Sequence, residues 1–145
     1  MILNERGIIK QFGLVVYSQD IVAVIGDMEE YVNKYYKPKD DKYIKFAAPD
    51  EGYPMATYDA IEKKTGVICY MIWCPDVEQF KGSYLCHECG HVTLELFKYI
   101  GAHVDYDDQE PFCYLLGTVF RLISGAYFDY KEYLDKKSIK ADKKK

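Results

Sequence analysis

Histidine is scarce in this chain, with 3 among 145 residues. Proline (5) and glycine (10) are too sparse for a collagen or a Pro/Gly-rich low-complexity chain. No apolar run approaches the roughly 20 residues that span a bilayer. The opening Met1–Arg6 has no basic stretch followed by an apolar core, so no secretory signal is expected. Positive charge is not in excess: the net charge is −4 and the pI about 5.4. A global basic field for nucleic acid is thereby excluded, and neither a nucleic-acid nor a membrane partner is expected. The five cysteines are an odd number without an export signal. Free thiols in a reducing, cytoplasmic compartment follow as the expectation.

What is present is an ordinary globular composition, 49% hydrophobic and 29% charged, of a length that suits one domain. Fifteen tyrosines supply rings to bury and hydroxyls that need partners. The tyrosines of Tyr31–Tyr36 spread over more than one helix face and read as packing rather than base stacking. From Lys131 to Lys145, seven lysines stand against three acids. The chain therefore divides into a single domain, residues 1–130, and a basic helix end and tail, residues 131–145.

Short β-branched runs, Phe12–Tyr17 and Ile21–Ile25, predict two strands. Gly26-Asp27 then reads as turn and cap for a helix over Met28–Tyr36, which ends before Pro38. Lys39–Pro54 is polar and punctuated, hence loop. Met55–Ile61 and Val67–Cys74 flank Glu62–Gly66 as a hairpin, its second strand apolar on both faces. From about Gly82 to Lys137 the period is helical, with breaks expected near Gly101–Asp108 and Ser124–Gly125. Strands first and helices second predict an α+β fold, with helices on one face of a mainly antiparallel sheet.

Two of the three histidines fall in His87-Glu88-Cys89-Gly90-His91, a His-Glu-x-x-His sequence. A random chain of this composition holds it roughly 0.004 times. Residues four apart lie about 40° apart around a helix, so both imidazoles project to one shared point. That point suits zinc, and Glu88, about one step around, reaches a metal-bound water without ligating it. The local pattern is helical: Leu85, Cys89, Val92, Leu96, Tyr99 and Ile100 form an apolar stripe, and His87 and His91 lie off it. Gly101 reads as the helix stop. A catalytic zinc takes three protein ligands and one open position. Glu110 is the candidate third, after eighteen residues in which one helix ends and another begins. A carboxylate in that first turn is favoured by the helix dipole. Glu110, Tyr114, Gly117 and Arg121 share a face, with Gly117 allowing close helix approach. Hydrolysis on this scheme requires the Glu110 carboxylate to converge with the two imidazoles.

The arrangement resembles the gluzincin class of zinc metallopeptidases, in which a glutamate on the next helix completes a His-Glu-x-x-His site. The eighteen-residue gap matches their thermolysin-like and aminopeptidase branches. Leu85–His91 through Gly101 to Gln109–Gly117 is similar to small zincin-like proteins of bacteriophages and prophages. The resemblance covers about 35 residues strongly. It implies a zincin-like α+β fold, a zinc cofactor on His87, His91 and Glu110, Glu88 as catalytic base, a peptide or protein substrate, and the cytoplasm of a bacterial host. Thermolysin-like enzymes place an aspartate one turn after the third ligand; Tyr114 stands there instead, and is a candidate to stabilise an oxyanion. Glu95 or one of Asp105, Asp107 and Asp108 could orient a histidine in its place.

Other readings use the same residues. Cys86 and Cys89 with Cys69 and Cys74 make a four-thiolate site by count, although Cys89 falls on the apolar stripe. Cys113 reads as packing, Arg121 as an ion-pair partner, and His103 as a loop histidine with substrate contact as its alternative. A non-catalytic zincin-shaped binding or assembly protein, its zinc structural or vestigial, is the alternative to a hydrolase.

Overall fold

A computed structural model describes residues 1–14 and 17–142. Its frame is a six-stranded sheet in the order β1-β2-β3-β6-β5-β4. These are Ile2–Asn4, Gly7–Leu14, Gln19–Gly26, Tyr36–Pro38, Ala56–Glu62 and Ile68–Cys74 for β1 to β6. Every neighbouring pair is antiparallel except β3 and β6, which run parallel with Asp20 opposite Cys69. The sheet is thus mixed, and mainly antiparallel as the hairpin signals indicate. Val15 and Val16 of the predicted first strand lie outside the described residues.

Period-two alternation sorts the strand residues into two cores. Ile8, Ile21, Ala23, Ile25, Tyr70, Ile72 and Cys74 face one side, where helices α2 (Gly82–Tyr99) and α3 (Glu110–Asp142) pack. Ile9, Val22, Val24, Cys69, Met71 and Trp73 face the other, covered by α1 (Glu29–Tyr35) and Phe46. Helices therefore lie on both faces, where one face was expected. The cause is visible in β6, whose residues are buried on both sides: a strand apolar on both faces needs cover on both. Asp27 does not cap α1; its carboxylate pairs with Arg6 at 3.2 Å.

The α2 helix closes as its glycine predicts. Gly101 has φ +71°, its N–H donates to the Lys98 carbonyl at 3.2 Å, and Ala102 N–H donates to Phe97 at 2.9 Å. This pair of bonds is a Schellman cap. Leu85, Cys89, Val92 and Leu96 are fully buried, while Tyr99 and Ile100 of the predicted stripe are exposed and Phe97 is buried instead.

The break expected at Ser124–Gly125 does not occur: α3 runs unbroken from Glu110 to Asp142. Ile123 and Ala126 on either side are buried in the core. A glycine costs a helix about 1 kcal/mol relative to alanine, less than burial of an isoleucine returns. The buried stripe of α3 is Leu115, Val119, Ile123, Ala126 and Tyr130. By length and composition α3 is also apolar enough to cross a membrane. The basic segment after residue 130 continues this helix, and Lys131 and Lys137 meet Glu78 and Glu5.

Candidate metal centre

The His-Glu-x-x-His segment occupies the middle of α2 and faces the first half of β5. Four residues of helix rise about 6 Å, yet the two imidazoles turn toward each other: Nε2 of His87 and Nε2 of His91 are 3.1 Å apart. The rings meet edge-on, at 80°. At that distance the nitrogens share one proton in an N–H···N bond, or offer both lone pairs to one cation. Two nitrogens bound to tetrahedral zinc at about 2.0–2.1 Å stand about 3.3 Å apart. The observed spacing fits that bite. Both side chains are exposed, so they are not interior histidines satisfied by the core.

Glu88 is buried between the helix and β5, and it lines the same hollow as the two histidines. It is the single buried charged residue among those described. Its Oε2 accepts the Thr57 hydroxyl at 2.6 Å. Thr57 sits on β5, and alternation turns its side chain to the α2 face together with Asp59, while Ala60 enters the opposite core. A hollow of about 500 Å³ opens over this seam, lined by Tyr53, Met55, Ala56, Thr57, Asp59, His87, Glu88, His91, Leu94 and Glu95. Burial raises the Asp59 carboxyl above its ordinary value, and Lys39 opposes this.

Glu110 is not brought to the pair. It opens α3 as expected, but it is exposed and lines no part of the hollow. Among the described residues no group of three His, Cys, Asp or Glu side chains is close enough to hold a metal ion. Tyr114 is 73% exposed and likewise absent from the hollow. The reason is the rotation of α3: Leu115, Val119 and Ile123 take the core, which turns Glu110, Tyr114, Gly117 and Arg121 to solvent. A side chain added at Gly117 would touch nothing within 4 Å, so this glycine serves no helix contact. The two helices share one apolar core, in which Phe97 meets Phe112 edge to face at 5.6 Å.

The four-thiolate alternative fails on topology. Cys69 faces the α1 core, whereas Cys74 and Cys89 face the α2–α3 core. Burial pushes the Cys69 and Cys89 thiols up to about 12 and the Cys74 thiol to about 11, which disfavours thiolate ligands. His103 is exposed and outside the hollow.

Sequence reasoning missed Thr57 and Tyr53. Thr57 gains its meaning only from lying across from Glu88. Tyr53 ends the long loop before β5 and borders a second hollow of about 920 Å³ beside the sheet edge. That hollow exists because β4 pairs only with Ala60–Glu62 and the chain leaves the edge after Lys39 N–H donates to the Asp59 carbonyl at 3.1 Å. Among the described residues, Ala56–Tyr58 then have no strand neighbour on that side. Tyr43, Phe46 and Tyr58 give the hollow aromatic walls, and it shares Tyr53, Ala56, Thr57 and Asp59 with the histidine hollow. Compared with models of protein families, with curated proteins and with solved structures, the chain matches none.

Proposed function

We propose that this chain is a small zinc-dependent metallohydrolase of zincin-like type, cleaving peptide bonds. The observation that carries the reading is the 3.1 Å separation of the His87 and His91 Nε2 atoms, with the buried Glu88 carboxylate one residue away. His87 and His91 are the residues that would hold zinc. Bound zinc supplies a Lewis acid and a water whose pKa falls toward about 7. Glu88 accepts the proton of the attacking water and returns it to the leaving amine.

The substrate reading rests on the open half of β5. An extended peptide laid against Ala56–Tyr58 would form main-chain hydrogen bonds as an added strand. Three residues of strand offer about 10 Å of edge, and the hollow of about 920 Å³ beside it has room for the side chains of a peptide laid there. Its aromatic walls favour a large apolar side chain next to the scissile bond. Of the two hairpin strands, β6 is interior, between β3 and β5, and β5 is paired with β4 only over Ala60–Glu62, which leaves its first half for docking.

One observation favours the second reading, a non-catalytic metal-binding or assembly protein. Glu110 stands apart from the imidazole pair, so the convergence required for hydrolysis through His87, His91 and Glu110 is not met, and two protein ligands are fewer than the three a catalytic zinc takes. Elemental analysis and peptide cleavage separate the two. A hydrolase holds one zinc per chain, loses it in a His87→Ala, His91→Ala double variant, and loses turnover but not zinc in Glu88→Gln. Zinc without cleavage of any peptide library, and a fold that melts on chelation, supports the second reading. No zinc in the wild type ends the hydrolase reading and leaves an assembly protein with a vestigial site.

A further inference from the structure

We infer that Thr57 is the positioning residue of this site, holding the Glu88 carboxylate in place from the strand that receives the substrate; this rests on the hydrolase reading above. Three observations converge on it. A buried carboxylate needs hydrogen-bond partners, and among the described residues the Thr57 hydroxyl is the side-chain donor to Glu88, at 2.6 Å to Oε2. That length is typical of a charge-assisted O–H···O⁻ bond. The same hydroxyl lies 3.4 Å from the Glu88 main-chain carbonyl, so it spans the root and the tip of the side chain. With Oε2 engaged, Oε1 is the oxygen left to accept a proton from water.

The third observation is where the Thr57 main chain points. Asp59 turns its carbonyl to the sheet edge, toward Lys39, and Glu62 turns its N–H inward to Val67. Alternation then directs the Thr57 N–H and C=O to the open edge. One residue thus offers its backbone to an incoming strand and its side chain to the proton carrier. A peptide docked there fixes the strand that fixes Glu88. Thr57 touches no reacting atom and acts through the carboxylate.

The test compares zinc-loaded wild type with Thr57→Val, which keeps shape and strand propensity but removes the donor, and with Thr57→Ser, which keeps the donor. A positioned base contributes about 10²- to 10⁴-fold. Loss of its orientation is expected to lower kcat by roughly 10- to 100-fold, with KM within about twofold, zinc content unchanged, and kcat largely restored in Thr57→Ser. A second readout is independent of turnover: Thr57→Val lowers the urea midpoint of the wild type, but causes no further drop in a Glu88→Leu background. Unchanged kcat in Thr57→Val, where Glu88→Gln is inactive, overturns the inference and leaves the hydrolase standing. Additive midpoints overturn it as well. Zinc-loaded wild type that cleaves nothing overturns the hydrolase reading and the role of Thr57 with it, whereas the midpoint coupling would still report the contact.

Discussion

A Glu110→Gln substitution is expected to leave the zinc content of the protein unchanged. The side chain is exposed at the head of α3 and contributes nothing to the hollow that contains His87 and His91. Removing a true third ligand would weaken zinc by orders of magnitude, as the dependence of such sites on ligand number implies. Titration of the apo-protein with zinc, wild type against Glu110→Gln, measures the difference directly. A large loss of affinity in the variant would mean that the first turn of α3 swings in to the imidazole pair, as the spacing of the sequence suggests. The histidine pair was legible because four residues of one helix determine its geometry locally. Glu110 was not, because its direction depends on how α3 rotates against the sheet, and that is decided by Leu115, Val119 and Ile123.

Among the elements, the strongest periodic signals held. The runs at Ile21–Ile25, Met55–Ile61 and Val67–Cys74 overlap β3, β5 and β6, the last two strands starting one residue later than expected, and α2 ends where Gly101 ends it. Three features had no local signal. The strands β1 and β4 are three residues each, too short for a period. The Gly7–Gln11 start of β2 carries Lys10 and Gln11, polar residues that bond Asp129 and Asp20 at 2.6 Å. The parallel pairing of β3 with β6 joins segments more than forty residues apart. Two glycines with positive φ, Gly101 and Gly26, differ in what an added side chain would meet. At Gly101 a side chain would meet nothing within 4 Å, so Gly101→Ala should cost only the left-handed backbone, about 1 kcal/mol. At Gly26 the φ is +100° and a Cβ would sit 2.2 Å from the Arg6 carbonyl oxygen. Gly26→Ala must also part β2 from β3 at the Gly7–Gly26 pair, and its loss in urea unfolding should exceed that of Gly101→Ala. Equal losses would show that the β2–β3 end yields without cost.

Across the whole molecule, burial has left several weak acids with their protons held. The thiols of Cys69 and Cys89 are pushed up to about 12 and that of Cys74 to about 11, each chiefly by desolvation. The phenols of Tyr58 and Tyr70 rise to about 12 for the same reason. In the unfolded chain a thiol ionises near about 8.5 and a tyrosine near about 10. Between those values and the folded ones, the native state binds more protons than the unfolded state. Stability must therefore fall as pH rises through that window, and is retained in full below it. The two cores supply these groups from opposite faces of the sheet, so the effect belongs to the fold rather than to the metal site. The urea midpoint should be flat from about pH 7 to 8, then decline from about pH 8.5 as the unfolded thiols ionise, and steepen near about pH 10 when the phenols join. Measuring the midpoint in zinc-free protein at half-unit steps to pH 10 checks this before lysine deprotonation disturbs the surface pairs. A midpoint that stays level to pH 10 would mean that water reaches these thiols in the native state, and that the sheet is not sealed on both sides.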